Sequence, residues 1–349
     1  MMKFSELMAA RCRRPRFFAI AIALGVTAAV TVSAEAGTGS AAAGAAITSP
    51  ASYRVLSAAA TQTPAGTWQK LPAAPITKAP VTMVSVWTGR EMIIHGILPG
   101  GSRGATFAYR PAARTWVRLA DGPQPATVNS ADVAVWTGSR MLVIGLTSGS
   151  YDPAANTWRK LPAAPLQPRA SASGAWTGKE LIVAGGHNFF RKTVFRDAAA
   201  YNPSTGTWRK LPPMPSTLTL GGPALWDGKE ILFLSSSSAR GLAYNPARNS
   251  WRLLPAMPLP RFGFAAVWTG HRVLVWGGLA GPFPTWAPPA HGEAYNPAAS
   301  QWTALPASPL HGRGFPSAVW TGHQMIVWGG NIPQATTDIF FTDGAAYTP

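Results

Sequence analysis

Three arginines, Arg169, Arg261 and Arg313, each stand seven residues before a tryptophan: Trp176, Trp268 and Trp320. A guanidinium carries its donors in a planar fork that meets a carboxylate or phosphate with two bonds at once, so three of them around one mouth would form an anion receptor. Other groups able to hold a ligand fall nearby: His187, Arg191, Lys192, Trp286, His291, His311 and Asn331. Trp286, set among prolines, is either a stacking platform for a sugar ring or a plug in its own loop. His187 and His291 suit acid–base or metal chemistry by type, yet no two histidines have helical or hairpin ligand spacing, so no metal and no cofactor is expected. Asp197, Glu293 and Asp343 each precede a strand-like run and help to seat it, which leaves no carboxylate pair for acid–base work. No serine-centred elbow or phosphate-cradling glycine loop occurs.

These residues hang on a repeat. A hairpin tryptophan recurs as Trp87, Trp136, Trp176, Trp226, Trp268 and Trp320, followed each time by Thr-Gly or Asp-Gly. A Tyr-X-Pro step recurs at Tyr109, Tyr151, Tyr201, Tyr244, Tyr295 and Tyr347, and after the first five a second tryptophan follows at constant spacing: Trp116, Trp158, Trp208, Trp251 and Trp302. Alternating apolar residues around a two-residue turn signal a β-hairpin, and the Tyr and second Trp mark a third and a fourth strand. Four short strands in a period of roughly 40 to 50 residues are the signature of a propeller blade, which buries both its faces only by stacking on neighbours. The last copy stops at Pro349 without its tryptophan, while the first element, residues 66–72 with Trp68, is a fourth strand with no Tyr step before it. The two halves make one blade. The reading is all-β: a six-bladed propeller over residues 66–349, each blade a four-stranded antiparallel sheet, with the ring closed by the N-terminal strand joining the C-terminal blade.

The repeat resembles the kelch family of β-propellers, whose marks are a glycine pair after the second strand, then a Tyr and a Trp at near-fixed spacing. The pair stands at Gly185-Gly186, Gly277-Gly278 and Gly329-Gly330; the matching places read His95-Gly96-Ile97, Gly145-Leu146-Thr147 and Ser235-Ser236. In such propellers the loops between strands two and three share a face with the connections between blades. Here those loops are long at residues 187–197, 279–293 and 331–343, and scaffolds vary their functional loops while keeping their strands. The resemblance therefore implies a working face carrying Arg169, His187, Arg191, Arg261, Trp286, His291, Arg313 and Asn331. It equally implies a second role for the arginines, packing and hydrogen bonding between blades.

The N-terminus has a different character. Residues 1–16 are basic, 17–32 apolar, and Ala34-Glu35-Ala36 offers small residues for cleavage, the order of a secretory signal over residues 1–36. Its apolar stretch is short for a membrane span, so no transmembrane segment is expected after cleavage. Residues 37–65, mostly Ala, Gly, Ser and Thr, read as a flexible linker. The one cysteine, Cys12, leaves with the signal, so the remaining domain has neither disulfide nor thiolate ligand, and the copper–cysteine chemistry of galactose-oxidase-like kelch proteins is disfavoured. The full chain carries net charge +17; residues 37–349 hold 25 Lys+Arg against 11 Asp+Glu, a net +14. Much of this charge falls at hairpin turns and on outermost strands, where it deters edge pairing. The remainder favours acidic partners, and export disfavours nucleic acid.

The expectation is a secreted, monomeric binding module holding an acidic or neutral glycan, a cell-wall polymer or a protein. The alternative is a sugar-active enzyme resembling the six-bladed kelch mutarotases of sialic acid. A closed pocket uniting the arginines with His187, His291, Asp338 or Glu293 would favour the enzyme.

Overall fold

The computed structural model describes residues 66–349 apart from 77–79, 81, 99–103, 124–132, 146, 189–190, 216–219, 236–239, 258–259, 282–286, 290 and 335–337. The signal, the linker, Cys12 and Trp286 lie outside the described residues. Six antiparallel sheets of four strands follow one another, each in the order of the chain from inner to outer strand. Their inner strands are Thr82–Trp87, Val133–Trp136, Ser173–Trp176, Leu220–Trp226, Phe262–Trp268 and Ser317–Trp320, for blades 1 to 6. The sixth sheet takes its outer strand from the other end of the chain: Thr67–Lys70 pairs Gly344–Thr348, with Trp68 opposite Tyr347. The ring thus closes as expected, and no blade is left with an open seam. Among the described residues no helix is long and apolar enough to cross a membrane.

The turn chemistry explains why the Trp-Thr-Gly mark recurs. Glycine occupies a positive φ in every copy, from Gly89 at 96° to Gly322 at 97°, and a Cβ there would be strained whatever the space around it. The two central turn residues are therefore Gly89-Arg90, not Thr-Gly as the sequence suggests; a glycine at the first central position is what a type II′ hairpin requires. The preceding Thr88 flanks the turn, its backbone N–H donating to Glu91 O at 3.0 Å and its Oγ1 accepting from Glu91 N at 3.1 Å. Asp227 replaces the threonine in blade 4 and its carboxylate accepts from Glu230 N at 2.6 Å.

The core is distributed around the ring. Six apolar clusters each draw on two adjacent blades, and the last joins blade 6 to blade 1 through Val319, Ile326 and Trp328 with Met92, Ile94 and Tyr109. A blade buries its second face only against its neighbour, which is why period rather than alternation alone specifies the fold. The tryptophan of the fourth strand stacks on the tyrosine of the third at about 5 Å, as in Tyr151 and Trp158. Its indole N–H then reaches the previous blade: Trp68 donates to Pro306 O, Trp116 to Pro72 O, Trp158 to Ala120 O, Trp208 to Pro162 O and Trp251 to Pro212 O, all between 3.0 and 3.2 Å.

Blade 5 breaks this pattern. The indole nitrogen of Trp302 is buried without a partner, beside a cavity of about 30 Å³ lined by Leu234, Leu254, Pro255 and Tyr295. Trp276 and Trp328 pack on Trp68 and Trp116 of the next blade, and His95 lies 4.7 Å from Trp158; in blade 4 the equivalent residue is Leu234, which lines the cavity together with Trp302. Trp158→Phe is expected to lower the free energy of unfolding by about 1 kcal/mol more than Trp302→Phe, because only the first removes a made hydrogen bond. Urea unfolding midpoints of the two variants check this. Equal losses would show that the indole bonds do not stitch the ring.

Candidate functional site

The antiparallel order places the loops between strands two and three, and the connections from one blade to the next, at one face of the ring. The Thr-Gly hairpins lie at the opposite face. All the candidates from the sequence that are described fall on the loop face, but their geometry assigns them different work.

The arginines face inward to their own blades. Arg169 meets Asp197 with both terminal nitrogens, Nη1 to Oδ1 at 2.6 Å and Nη2 to Oδ2 at 2.8 Å, and Nη1 also donates to Gly185 O at 3.0 Å. Arg313 repeats this with Asp343 at 2.5 Å and Gly329 O at 3.3 Å. The guanidinium groups lie over Phe195 and Phe341, 4.2 and 3.7 Å from the ring centroids, a favourable cation–π placement. The Arg313 side chain is 0 % exposed. In blades 3 and 6 the fork expected from the sequence to receive an external anion is thus occupied from within, by the carboxylate that precedes the third strand. The physical reason is distance along the blade. The positive-φ glycine pair, 68° and 89° in blade 3 and 69° and 98° in blade 6, turns the chain so that its carbonyl and the acid both reach the same arginine.

Blade 5 carries the same tie in an incompletely bonded form. Arg261 is buried and donates to Gly277 O at 3.2 Å. Its Nη2 lies 3.2 Å from Glu293 Oε1 without the alignment of a hydrogen bond, and Arg261 Nε and Nη2 and Glu293 Oε2 are all buried and unsatisfied. Burial pushes the Arg261 pKa down against the pull of Glu293, and pushes the Glu293 pKa up against Arg261 and His291. In blade 3 the balance reverses: the hydrogen bonds from Arg169 lead in holding Asp197 below its ordinary range. One extra methylene in Glu293 moves the carboxylate out of the fork.

A signal for this tie was present in the sequence. The blades with the arginine are the blades with the glycine pair and the acid; where Pro80, Asn129 and Thr219 stand instead, both are missing. Three residues that come and go together within one chain hold one another in place.

The other candidates are scattered. His187 is half-buried at the base of a two-stranded ribbon, His187–Asn188 with Thr193–Val194, and burial lowers its pKa. Arg191 and Lys192 are exposed in the turn of that ribbon. Asn331 opens a second ribbon, Asn331–Ile332 with Ile339–Phe340; it is buried, and its Nδ2 donates to Asp338 Oδ2 at 3.2 Å. His291 is exposed, and exposed His311 stacks 6.4 Å from Phe341. Among the described residues no hydrogen bond or ion pair joins Arg191, His291 and Asn331 to one another. Among those residues, too, no group of three His, Cys, Asp or Glu gathers as a metal site.

The ribbons and one residue beside them escaped the sequence reading. Of the four large apolar side chains exposed among the described residues, three are on this face: Val194 in the first ribbon, Ile339 in the second, and Phe315, 41 % exposed, in the connection from blade 5 to blade 6. Phe315 has φ +54°, and it stands two residues after Arg313. The equivalent residues after Arg169 and Arg261 are Ser171 at +54° and Gly263 at +63°. A left-handed backbone suits glycine and burdens a phenylalanine by about 1–3 kcal/mol. Its ring meets Phe262 edge-on, 5.1 Å between centroids.

A family model described as the Kelch motif matches residues 168–215, the span that holds Arg169, Gly185-Gly186, Asp197, Tyr201 and Trp208 of blade 3. No curated protein matches the chain.

Proposed function

Because the chain is a kelch-repeat β-propeller, a scaffold that generally serves protein interaction, we propose that its loop face docks a protein partner around Phe315. The observation that carries this reading is the backbone of Phe315. A bulky aromatic side chain is held exposed at a positive φ where sister blades place serine and glycine, and strain maintained at such a position points to use. Val194 and Ile339 are further exposed apolar side chains on this face, and Arg191 and Lys192 are exposed in the blade 3 ribbon. An apolar centre with a charged margin suits a partner with an apolar patch and an acidic rim. The basic, apolar and small-residue order of residues 1–36 supports the further proposal that this interaction takes place after export.

The test is Phe315→Gly. Stability is expected to rise by about 1 kcal/mol, the strain relieved less the backbone entropy of glycine. Retention of partner proteins from the extracellular fraction of the producing cells is expected to fall at least tenfold, and Val194→Asp with Ile339→Asp to remove it. Retention unchanged in both variants would overturn the reading.

A further inference from the structure

The opposite face carries a second set of tryptophans with a different fate from those that stitch the blades. Each of the six hairpin tryptophans is half-buried. None of their indole N–H groups is hydrogen-bonded among the described residues, and none is sealed away as a buried orphan. At the junction of blades 3 and 4 one of them, Trp226, lines an open groove of about 430 Å³ together with Lys179, Lys229, Asn245 and Arg248. That volume lies in the range of small-molecule sites.

The charge of this groove is set by which groups are already paired. Glu180 accepts both Nε and Nη2 of Arg209, at 3.0 and 2.6 Å. Glu230 accepts both from Arg252, at 3.0 and 2.5 Å. Asp227 caps its own turn. Lys179, Lys229 and Arg248 have no ion pair among the described residues, so the groove keeps a positive excess even after the Asp227 charge is counted. Position along the repeat makes the junction distinctive. The residue after the turn glycine is Arg90, Ser139, Lys179, Lys229, His271 and His323 around the ring, so only blades 3 and 4 set two lysines side by side. Arg248 has Ala113, Ala155, Thr205 and Ala299 as its counterparts in blades 1, 2, 3 and 5.

We propose that this groove binds a carboxylate-bearing sugar, a uronic acid residue of an acidic polysaccharide. The two lysines and Arg248 meet the carboxylate, the face of Trp226 stacks against the ring, and its indole N–H donates to a hydroxyl or ring oxygen. The site is separate from the protein-docking face and does not depend on it.

The test uses the full chain with hexagalacturonate as probe, its fully methyl-esterified form as the neutral control, and inorganic phosphate as the control for a simple anion. Titration calorimetry is expected to show binding of hexagalacturonate alone. Lys179→Gln with Lys229→Gln, changes at exposed positions that leave the fold intact, should weaken it at least tenfold, and Arg248→Ala at least threefold. The indole N–H resonance of Trp226, identified by its loss in Trp226→Phe, should shift on addition of the probe. Phe315→Gly should leave the affinity unchanged, which separates this site from the loop face. Absence of binding at millimolar probe, equal affinity for the esterified form, competition by millimolar phosphate, or no effect of the lysine variants would each overturn the proposal.

Discussion

Replacing Asp343 by Ala is expected to lower the free energy of unfolding by about 3–5 kcal/mol, more than the about 1.5–3 kcal/mol expected for Arg313→Met. The asymmetry follows from exposure. The Asp343 side chain is 49 % exposed while Arg313 is 0 % exposed. Removing the arginine returns its partner to water and costs chiefly the hydrogen bonds to Asp343, Gly329 O and His311 O. Removing the aspartate leaves a guanidinium buried without its counter-charge, held only by two carbonyls and the Phe341 ring. In blade 5 the same surgery gives a different result. Arg261 and Glu293 are both desolvated and imperfectly joined, so Arg261→Met combined with Glu293→Met is expected to be close to neutral, whereas either change alone destabilises. Urea titrations of the single and double variants measure both contrasts. A free energy of unfolding lowered equally by Asp343→Ala and Arg313→Met would show that the burial of Arg313 is not what makes the tie costly to break.

Acidification from pH 7 to pH 4 is expected to remove about 3 kcal/mol of stability through His95 alone. This histidine is buried between blades 1 and 2. Its Nε2 lies 3.2 Å from Pro123 O, which can only accept, so Nε2 carries the proton and Nδ1 accepts from Thr106 Oγ1 at 3.0 Å. Desolvation lowers its pKa from 6.5 to about 4, against weaker upward pulls from Pro123 O and Asp121. A base with a depressed folded pKa binds fewer protons folded than unfolded between those two values. Its contribution is therefore whole above about pH 6.5 and is lost as the pH falls towards 4. Burial pushes His187 the same way, so His187→Gln is the companion control. His95→Gln keeps a donor and an acceptor but cannot titrate, and the slope between pH 6.5 and 4.5 should flatten in that variant. Carboxylates such as Asp197, Glu180 and Glu230, held low by their arginines, lose their contribution only at still lower pH. A slope unchanged in His95→Gln would place the acid sensitivity elsewhere. The fit around this ring is also tight: a Cβ on Gly122 would lie 2.6 Å from both His95 and Trp158.

The residue types and their period determined most of this fold. Trp-Thr-Gly demands a hairpin, because glycine alone takes the turn's positive φ without strain. The Tyr-to-Trp interval demands two more strands, and an N-terminal strand lacking its tyrosine can only complete a C-terminal blade lacking its tryptophan. Local spacing carries that information because every blade solves the same packing problem against its neighbour. What tertiary structure decided is where the polar groups spend their bonds. The arginines that sequence offers as an anion receptor face Asp197, Glu293 and Asp343, 28 to 32 residues beyond them in the chain yet brought back to them by the glycine pair. The exposure of Phe315 and the burial of His95 were equally hidden, since a single aromatic side chain has no period. Both depend on which neighbouring blade lies across the junction, and pairwise burial is set in space rather than along the chain.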